Sequence, residues 1–159
     1  MRSIPEDRLV YVDETGIDQY LHRPYARSLR GCPVFGEISG KRYKRTSLVA
    51  GLCMKRITAP LQYSGTMDSV LFEFWFETML LPCLEAGNVI VMDNARFHRK
   101  SVLSELAGRA GVHLLFLPPY SPDLNPIECF WAWLKDRLRK ILPYFAALDD
   151  AISDCFNVV

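Results

Sequence analysis

The sequence lacks the features of an exported, membrane-spanning or disulfide-stabilised protein. Its 159 residues contain no apolar run of the roughly 18 residues that are needed to span a bilayer. The first eight residues, Met-Arg-Ser-Ile-Pro-Glu-Asp-Arg, lack the apolar core of a secretory signal. The five cysteines are odd in number and form no Cys-x-x-Cys pair, which argues against a disulfide framework and a zinc site. We therefore expect a cytoplasmic protein.

Net charge is also low, at +1, which is weak for a protein that binds nucleic acid. The basic residues are unevenly placed, however. The segment from residue 23 to residue 45 contains one acid, Glu37, and seven basic residues: Arg23, Arg27, Arg30, Lys41, Arg42, Lys44 and Arg45. Four more surround Asp136: Lys135, Arg137, Arg139 and Lys140. These groups are either phosphate-binding surfaces or solvated loop and helix faces, and composition does not decide between them.

Residues 1–159 are expected to form a single domain. Half of them are hydrophobic and 12% are aromatic, and the chain shows no internal repeat and no long linker. Apolar runs and turn residues predict strands at 9–12, 19–23, 46–54, 56–63, 89–92 and 112–117. Helices are predicted from Thr66 or Asp68 to about Leu81, at 99–110 up to a stop at Gly111, from Pro126, and at 146–156. The order predicts an α/β fold with a mixed central sheet flanked by helices.

The helix that begins at Pro126 is amphipathic, with Asn125 as its expected N-cap. One face carries Ile127, Phe130, Trp131, Leu134, Leu138 and Ile141. Glu128 lies at the edge of that face. Trp131 is therefore expected in the core, and Trp133 on the opposite side.

Three carboxylates are the candidate catalytic residues. Asp13 and Asp93 each follow an apolar run that reads as a strand, and Glu128 begins a helix. Open α/β sheets bind their ligands at the carboxyl ends of strands. Three acids at one point repel each other unless cations lie between them, which implies Mg²⁺ or Mn²⁺. Such a site suits in-line attack on a phosphodiester.

Three segments resemble the catalytic blocks of DDE transposases, and most of all the mariner-like branch found in bacterial insertion sequences. They are Val-Asp-Glu-Thr-Gly at 12–16, Val-Met-Asp-Asn-Ala-Arg-Phe-His at 91–98, and Leu-Pro-Pro-Tyr-Ser-Pro-Asp-Leu-Asn-Pro-Ile-Glu at 117–128. In that family 34 residues separate the second Asp from the Glu, and the same number lies between Asp93 and Glu128. The resemblance extends from Leu9 to about Leu142.

The resemblance implies a ribonuclease-H-like fold and a reaction. Two Mg²⁺ ions, or Mn²⁺ in their place, would be held by Asp13, Asp93 and Glu128, with Asp13 bridging them. The reaction would cut a DNA strand at the end of a mobile element and join the freed 3′-hydroxyl to target DNA. The implied partners are the terminal repeats, target DNA and further copies of the chain, in a bacterial cytoplasm and at the nucleoid when bound to DNA.

Family members carry a helix-turn-helix region before the catalytic domain, and Asp13 lies almost at the start of this sequence. The chain is therefore expected to be a catalytic fragment, one part of an element split into two reading frames, or the product of a decayed gene. In the first two cases, another segment or a separate helix-turn-helix polypeptide would recognise the element ends.

Other polar residues have less certain roles. Glu14 is expected to point to the opposite face of its strand from Asp13 and to be structural. Asn94 is a candidate for orienting Asp93. His98 is either a hydrogen-bonded structural imidazole or a DNA contact. The candidate DNA-binding residues are Lys41, Arg42, Lys44, Arg45, His98 and Lys135.

Two alternatives compete with a transposase. The first is an inactive, transposase-derived module that only binds DNA or another partner. The second is a phosphohydrolase with Asp13 as nucleophile, although such enzymes usually place another Asp where this chain has Thr15. Trapping a phosphoaspartate at Asp13 would favour the phosphohydrolase.

Overall fold

The computed structural model describes residues 4–18, 45–119 and 121–157. Five strands in these residues form one sheet: β1 (Leu9–Asp18), β2 (Arg45–Cys53), β3 (Arg56–Tyr63), β4 (Val89–Met92) and β5 (His113–Phe116). The α-helices are α1 (Ser69–Trp75), α2 (Lys100–Arg109), α3 (Ile127–Ile141) and α4 (Leu148–Phe156). The strand predicted at 19–23 lies outside the described residues. No helix in the described part of the chain is long and apolar enough to cross a membrane.

The sheet has the order β3-β2-β1-β4-β5. Strands β1, β2 and β3 are antiparallel neighbours, whereas β4 and β5 run parallel to β1. This is the mixed sheet that the sequence predicts. The β2–β3 connection begins one residue earlier than predicted: Met54 and Lys55 form a two-residue turn with φ values of 47° and 65°, the left-handed conformation that tight hairpins require.

Each face of the sheet is covered by its own helices. One hydrophobic cluster joins Val10 and Val12 of β1 to α1 and the turns that follow it, and includes Phe72 and Trp75. The other joins Ile17 of β1 to the buried residues of α3 and α4. Because alternate residues of a strand point to opposite faces, Asp13 faces α3 and Glu14 faces the α1 layer.

Strand β1 extends further than the apolar run 9–12 predicts. It continues to Asp18 because every residue from Val10 to Asp18 pairs with β2. Asp13 therefore lies within the strand and not just beyond its end. On the other side, the pairing of β1 with β4 stops at Tyr11 opposite Val91. Since β4 ends at Met92, residue 13 of β1 lies level with residue 93.

The helix predicted from residue 66 or 68 to about 81 changes type along its length. Asp68 is the N-cap, and its carboxylate accepts a hydrogen bond from the Leu71 N–H at 2.8 Å. The α-helix ends at Trp75 and is followed by a π-helical turn at Phe76–Leu80 and a 3-10 turn at Leu81–Cys83. Pro82 lies in that last turn, and its missing N–H prevents regular helical bonding there.

The remaining elements lie close to their predicted positions. Helix α2 begins one residue later than predicted, and Gly111 ends it with a φ of 70°. Strand β5 is one residue shorter at each end than predicted. Helix α4 begins at Leu148, two residues later than predicted, after a 3-10 turn at Leu142–Tyr144 that contains Pro143.

Candidate active site

Asp13 and Asp93 come from neighbouring parallel strands and meet at the same edge of the sheet. Strand β4 ends at Met92, so Asp93 is the first residue of the loop that leaves it. Strand β1 continues past this level, and among the described residues it pairs there with β2 alone. Asp13 and Asp93 line the same cavity.

Helix α3 supplies the third acid. Its buried residues Ile127, Trp131, Leu134 and Leu138 pack on the sheet, which leaves Glu128 exposed at the edge of the packed face as the sequence predicts. The indole Nε1–H of Trp131 donates a hydrogen bond of 3.2 Å to Oδ2 of Asp13. This bond ties α3 directly to the acid in the centre of the sheet.

Asn125 does not act as the N-cap that the sequence predicts. The helix begins at Ile127 with Pro126 at the cap position, and no side chain caps it. The Asn125 side chain is instead buried, and its Nδ2 donates to the carbonyl oxygen of Val12 at 3.3 Å. Because a carbonyl only accepts, this contact fixes the amide orientation. The amide oxygen Oδ1 is buried and has no hydrogen-bond partner among the described residues.

The three acids line a single open cavity of about 380 Å³. Its other lining residues are Asn94, Leu117, Pro118, Pro119, Ser121 and Asn125. In the described part of the chain, no three His, Cys, Asp or Glu side chains are arranged closely enough to hold a metal ion. The structure therefore gathers the acids around one cavity without bringing their oxygens to ligand distances. Mutual repulsion is a physical reason for that separation.

Asp13 is the acid whose ionisation is most affected by its surroundings. Burial raises its pKa from 3.8 to about 7, and the negative charge of Glu128 adds to the effect. Glu14 and Asp93 raise the pKa further, while a backbone hydrogen bond from Glu14 opposes the rise. Among the described residues, negative charges and burial dominate around Asp13, which favours a bound cation there.

The donor set fits a hard divalent cation. The cavity offers carboxylate oxygens from three residues, and the described part of its lining contains no Cys or His. Mg²⁺ and Mn²⁺ prefer such oxygen ligands, whereas zinc sites usually include nitrogen or sulfur. The residues present therefore suit the ions that the sequence implies.

Asp93 is held by the loop that follows it. Its Oδ1 accepts a hydrogen bond from the Ala95 N–H at 3.2 Å. His98 Nδ1 lies 3.3 Å from the backbone oxygen of Asp93. The His98 side chain is only 3% exposed, which favours the structural role over the DNA contact that the sequence left open.

The candidate DNA-binding residues are only partly described. Arg45 is exposed at the start of β2, beside a second cavity on the Glu14 face of the sheet. Lys135 is half-buried on α3. Lys41, Arg42 and Lys44 lie outside the described residues. Asn94 lines the main cavity, and its role in orienting Asp93 stays a prediction.

Sequence reasoning missed two contacts of the site. The Trp131–Asp13 bond joins residues 118 positions apart, and the Asn125–Val12 bond joins residues 113 positions apart. The helical spacing of Trp131 and Glu128 was the one available signal, because residues three apart share a helix face.

A mixed sheet with carboxylates from its central strand, the adjacent strand and a C-terminal helix defines the class of ribonuclease-H-like domains. The family model of the DDE superfamily endonuclease matches residues 8–150. The chain belongs to this family, and it is similar to transposases of the Tc1 and mariner type.

Relatives and solved structures agree with this assignment. Over 81 residues the chain is 36% identical to the transposable element Tcb1 transposase of Caenorhabditis briggsae, an alignment that covers 48% of this chain and 30% of that protein. The Mos1 transposase paired-end complex with left transposon end has a TM-score of 0.65 at 19% identity, covering 92% of this chain and 50% of that one. The mariner Mos1 paired end complex with Mg has a TM-score of 0.63 at 17% identity, with 95% and 55% coverage. The chain thus spans about a third to a half of the length of these proteins.

Proposed function

We propose that the chain is the catalytic domain of a transposase that cuts DNA at the ends of a mobile element and joins the cut ends to target DNA. The observation that carries this proposal is the convergence of Asp13, Asp93 and Glu128 on one open cavity. Family membership and the likeness to transposase–DNA complexes support it. An inactive module has no need to keep three acids around one cavity.

Asp13, Asp93 and Glu128 would hold two Mg²⁺ ions, with Mn²⁺ as a substitute. When bound, the ions would polarise the scissile phosphate and increase the acidity of the attacking hydroxyl or water. The solved Mos1 complex with Mg is in accord with this choice of ion.

Different residues of the chain hold the carboxylates of Asp13 and Asp93 in place. Trp131 fixes one oxygen of Asp13, and the Ala95 N–H fixes one oxygen of Asp93. The hydrogen bond to Oδ1 of Asp93 leaves the Oδ2 of that carboxylate available to the cavity. Glu128 is exposed on the first turn of α3, where rotation of its side chain can adjust the width of the site.

We also propose that the basic stretch 23–45 and Lys135 contact DNA phosphates. The chain would act as a homo-oligomer on two element ends, as part of a bacterial insertion sequence in the cytoplasm and nucleoid. Recognition of the terminal repeats would come from a helix-turn-helix segment or polypeptide outside residues 1–159.

Charge reversal in the basic stretch is expected to weaken DNA binding. Replacing Lys41, Arg42, Lys44 and Arg45 with Glu removes cations that release counterions on binding. The slope of log affinity against log salt should fall by about 2 to 4, as measured by fluorescence anisotropy with a labelled duplex. A matched control reverses four other basic residues: Arg8, Lys55, Arg56 and Arg109. Equal slopes for the two variants would reject this DNA surface.

The proposed activity is tested by nicking of supercoiled plasmid DNA by the purified chain. We expect nicked product with Mg²⁺ or Mn²⁺ and none with a chelator. Joining is followed with a pre-cut element end that carries a free 3′-hydroxyl, since this substrate bypasses the first cut. Absence of both products with either ion, in a preparation that binds the same DNA, would favour the inactive module.

A further inference from the structure

His98 is a buried polar group behind the cavity to which the cleavage chemistry assigns no task. Its ring packs against Phe72 of α1 with ring centroids 4.3 Å apart, and against Phe97 with centroids 4.5 Å apart. Phe72 is itself fully buried in the core of that layer. These two aromatic contacts fix the plane of the imidazole ring.

Both ring nitrogens of His98 face oxygen atoms. Nδ1 lies 3.3 Å from the backbone oxygen of Asp93 and 3.4 Å from its Oδ1. Nε2 lies 3.7 Å from Oε1 of Glu14 and has no hydrogen-bond partner among the described residues. Because a backbone carbonyl only accepts, Nδ1 is the nitrogen that must carry a hydrogen.

The contact at Nδ1 constrains the direction of the Asp93 side chain. Asp93 begins a short loop that two hydrogen bonds close. The backbone N–H of Ala95 donates to Oδ1 of Asp93 at 3.2 Å, and the backbone N–H of His98 donates to the carbonyl oxygen of Ala95 at 3.0 Å. The contact with His98 Nδ1 fixes the backbone carbonyl group of Asp93 and so limits its two backbone dihedrals. A restricted backbone in turn restricts the directions in which the Asp93 carboxylate can point. Oδ2 of Asp93 has no hydrogen-bond partner in the described part of the chain.

We propose that His98 is a positioning residue for Asp93 and acts through the hydrogen on Nδ1. This inference rests on the proposed function, because it concerns the same site. Residues that orient a metal ligand typically change metal affinity by about 10- to 100-fold when they are replaced.

Two amide substitutions separate the roles of the ring nitrogens. In His98→Asn the amide nitrogen can take the place of Nδ1, whereas in His98→Gln it reaches toward the place of Nε2. Electron paramagnetic resonance of unbound Mn²⁺ should show affinity weakened about tenfold or more in His98→Gln. We expect His98→Asn to remain within about threefold of wild type. His113→Gln is the matched control, since His113 is exposed at the opposite end of the sheet.

A metal-free measurement separates this inference from the proposed function. The carbonyl ¹³C resonance of Asp93 should shift in His98→Gln and stay near its wild-type position in His98→Asn. Equal shifts in both variants, or equal losses of Mn²⁺ affinity, would show that His98 only fills space. If the wild-type chain neither binds Mn²⁺ nor nicks DNA, the proposed function fails, while the carbonyl resonance still decides the role of His98.

Discussion

Asp93→Asn is expected to slow metal-dependent nicking by at least about a thousandfold. The substitution keeps the size of the side chain and an oxygen for the Ala95 N–H, but it removes the charge that would hold a cation. A thousandfold loss corresponds to about 4 kcal/mol of transition-state stabilisation. That is the scale on which bound metal ions stabilise developing charge. The measurement is the initial rate of plasmid nicking at saturating Mg²⁺.

Asp123→Asn is the matched control for this prediction. Asp123 is exposed in the 3-10 turn before α3 and does not line the cavity, so its replacement should leave the rate unchanged. Equal rates for wild type, Asp93→Asn and Asp123→Asn would mean that the nicking comes from a contaminating nuclease.

Asp13→Asn is expected to stabilise the metal-free protein at high pH. In the folded chain burial and the nearby acids raise the pKa of Asp13 to about 7, whereas the unfolded chain has the ordinary value of 3.8. Between these values the folded state keeps a proton that the unfolded state has lost, so stability falls as pH rises from about 4 to 7. The Asn variant lacks this loss and should be more stable by roughly 2 to 4 kcal/mol at pH 8.

The comparison is made by urea unfolding in a chelator at pH 4 and pH 8. At pH 4 the two proteins should differ much less, because Asp13 is then largely protonated in the folded state. Saturating Mn²⁺ at pH 8 should stabilise wild type and have little effect on the Asn variant. A stability difference that is the same at both pH values and is insensitive to Mn²⁺ would contradict the account of Asp13.

The sequence predicts the parts of the site that depend on local pattern. The apolar run 89–92 followed by Asp93 predicts a strand that ends at an acid, and the helical spacing from Ile127 to Leu138 predicts a buried face with Glu128 at its edge. Both features are found because burial of alternating or periodic apolar residues dominates local structure. The end of β4 predicts the place of Asp93, whereas Asp13 reaches the cavity from within the longer strand β1.

The parts that sequence missed depend on partners distant in the chain. Strand β1 continues beyond its apolar run because β2 supplies partners as far as Asp18, which no local pattern of β1 reveals. Asn125 has the composition of an N-cap, yet it hydrogen-bonds to Val12, 113 positions away. A cap and a tertiary hydrogen bond use the same amide, and only the packing of α3 on the sheet decides between them.

The central claim is that Asp13, Asp93 and Glu128 together bind divalent cations, and anomalous diffraction from crystals containing Mn²⁺ tests it most directly. The account predicts anomalous density in the cavity between these residues, with carboxylate oxygens about 2.1 Å from the ion. Crystals of Asp13→Asn grown in the same way should show it weakened or lost. Millimolar Mn²⁺ that leaves this cavity without anomalous density, while the three carboxylates stay apart, would contradict the claim.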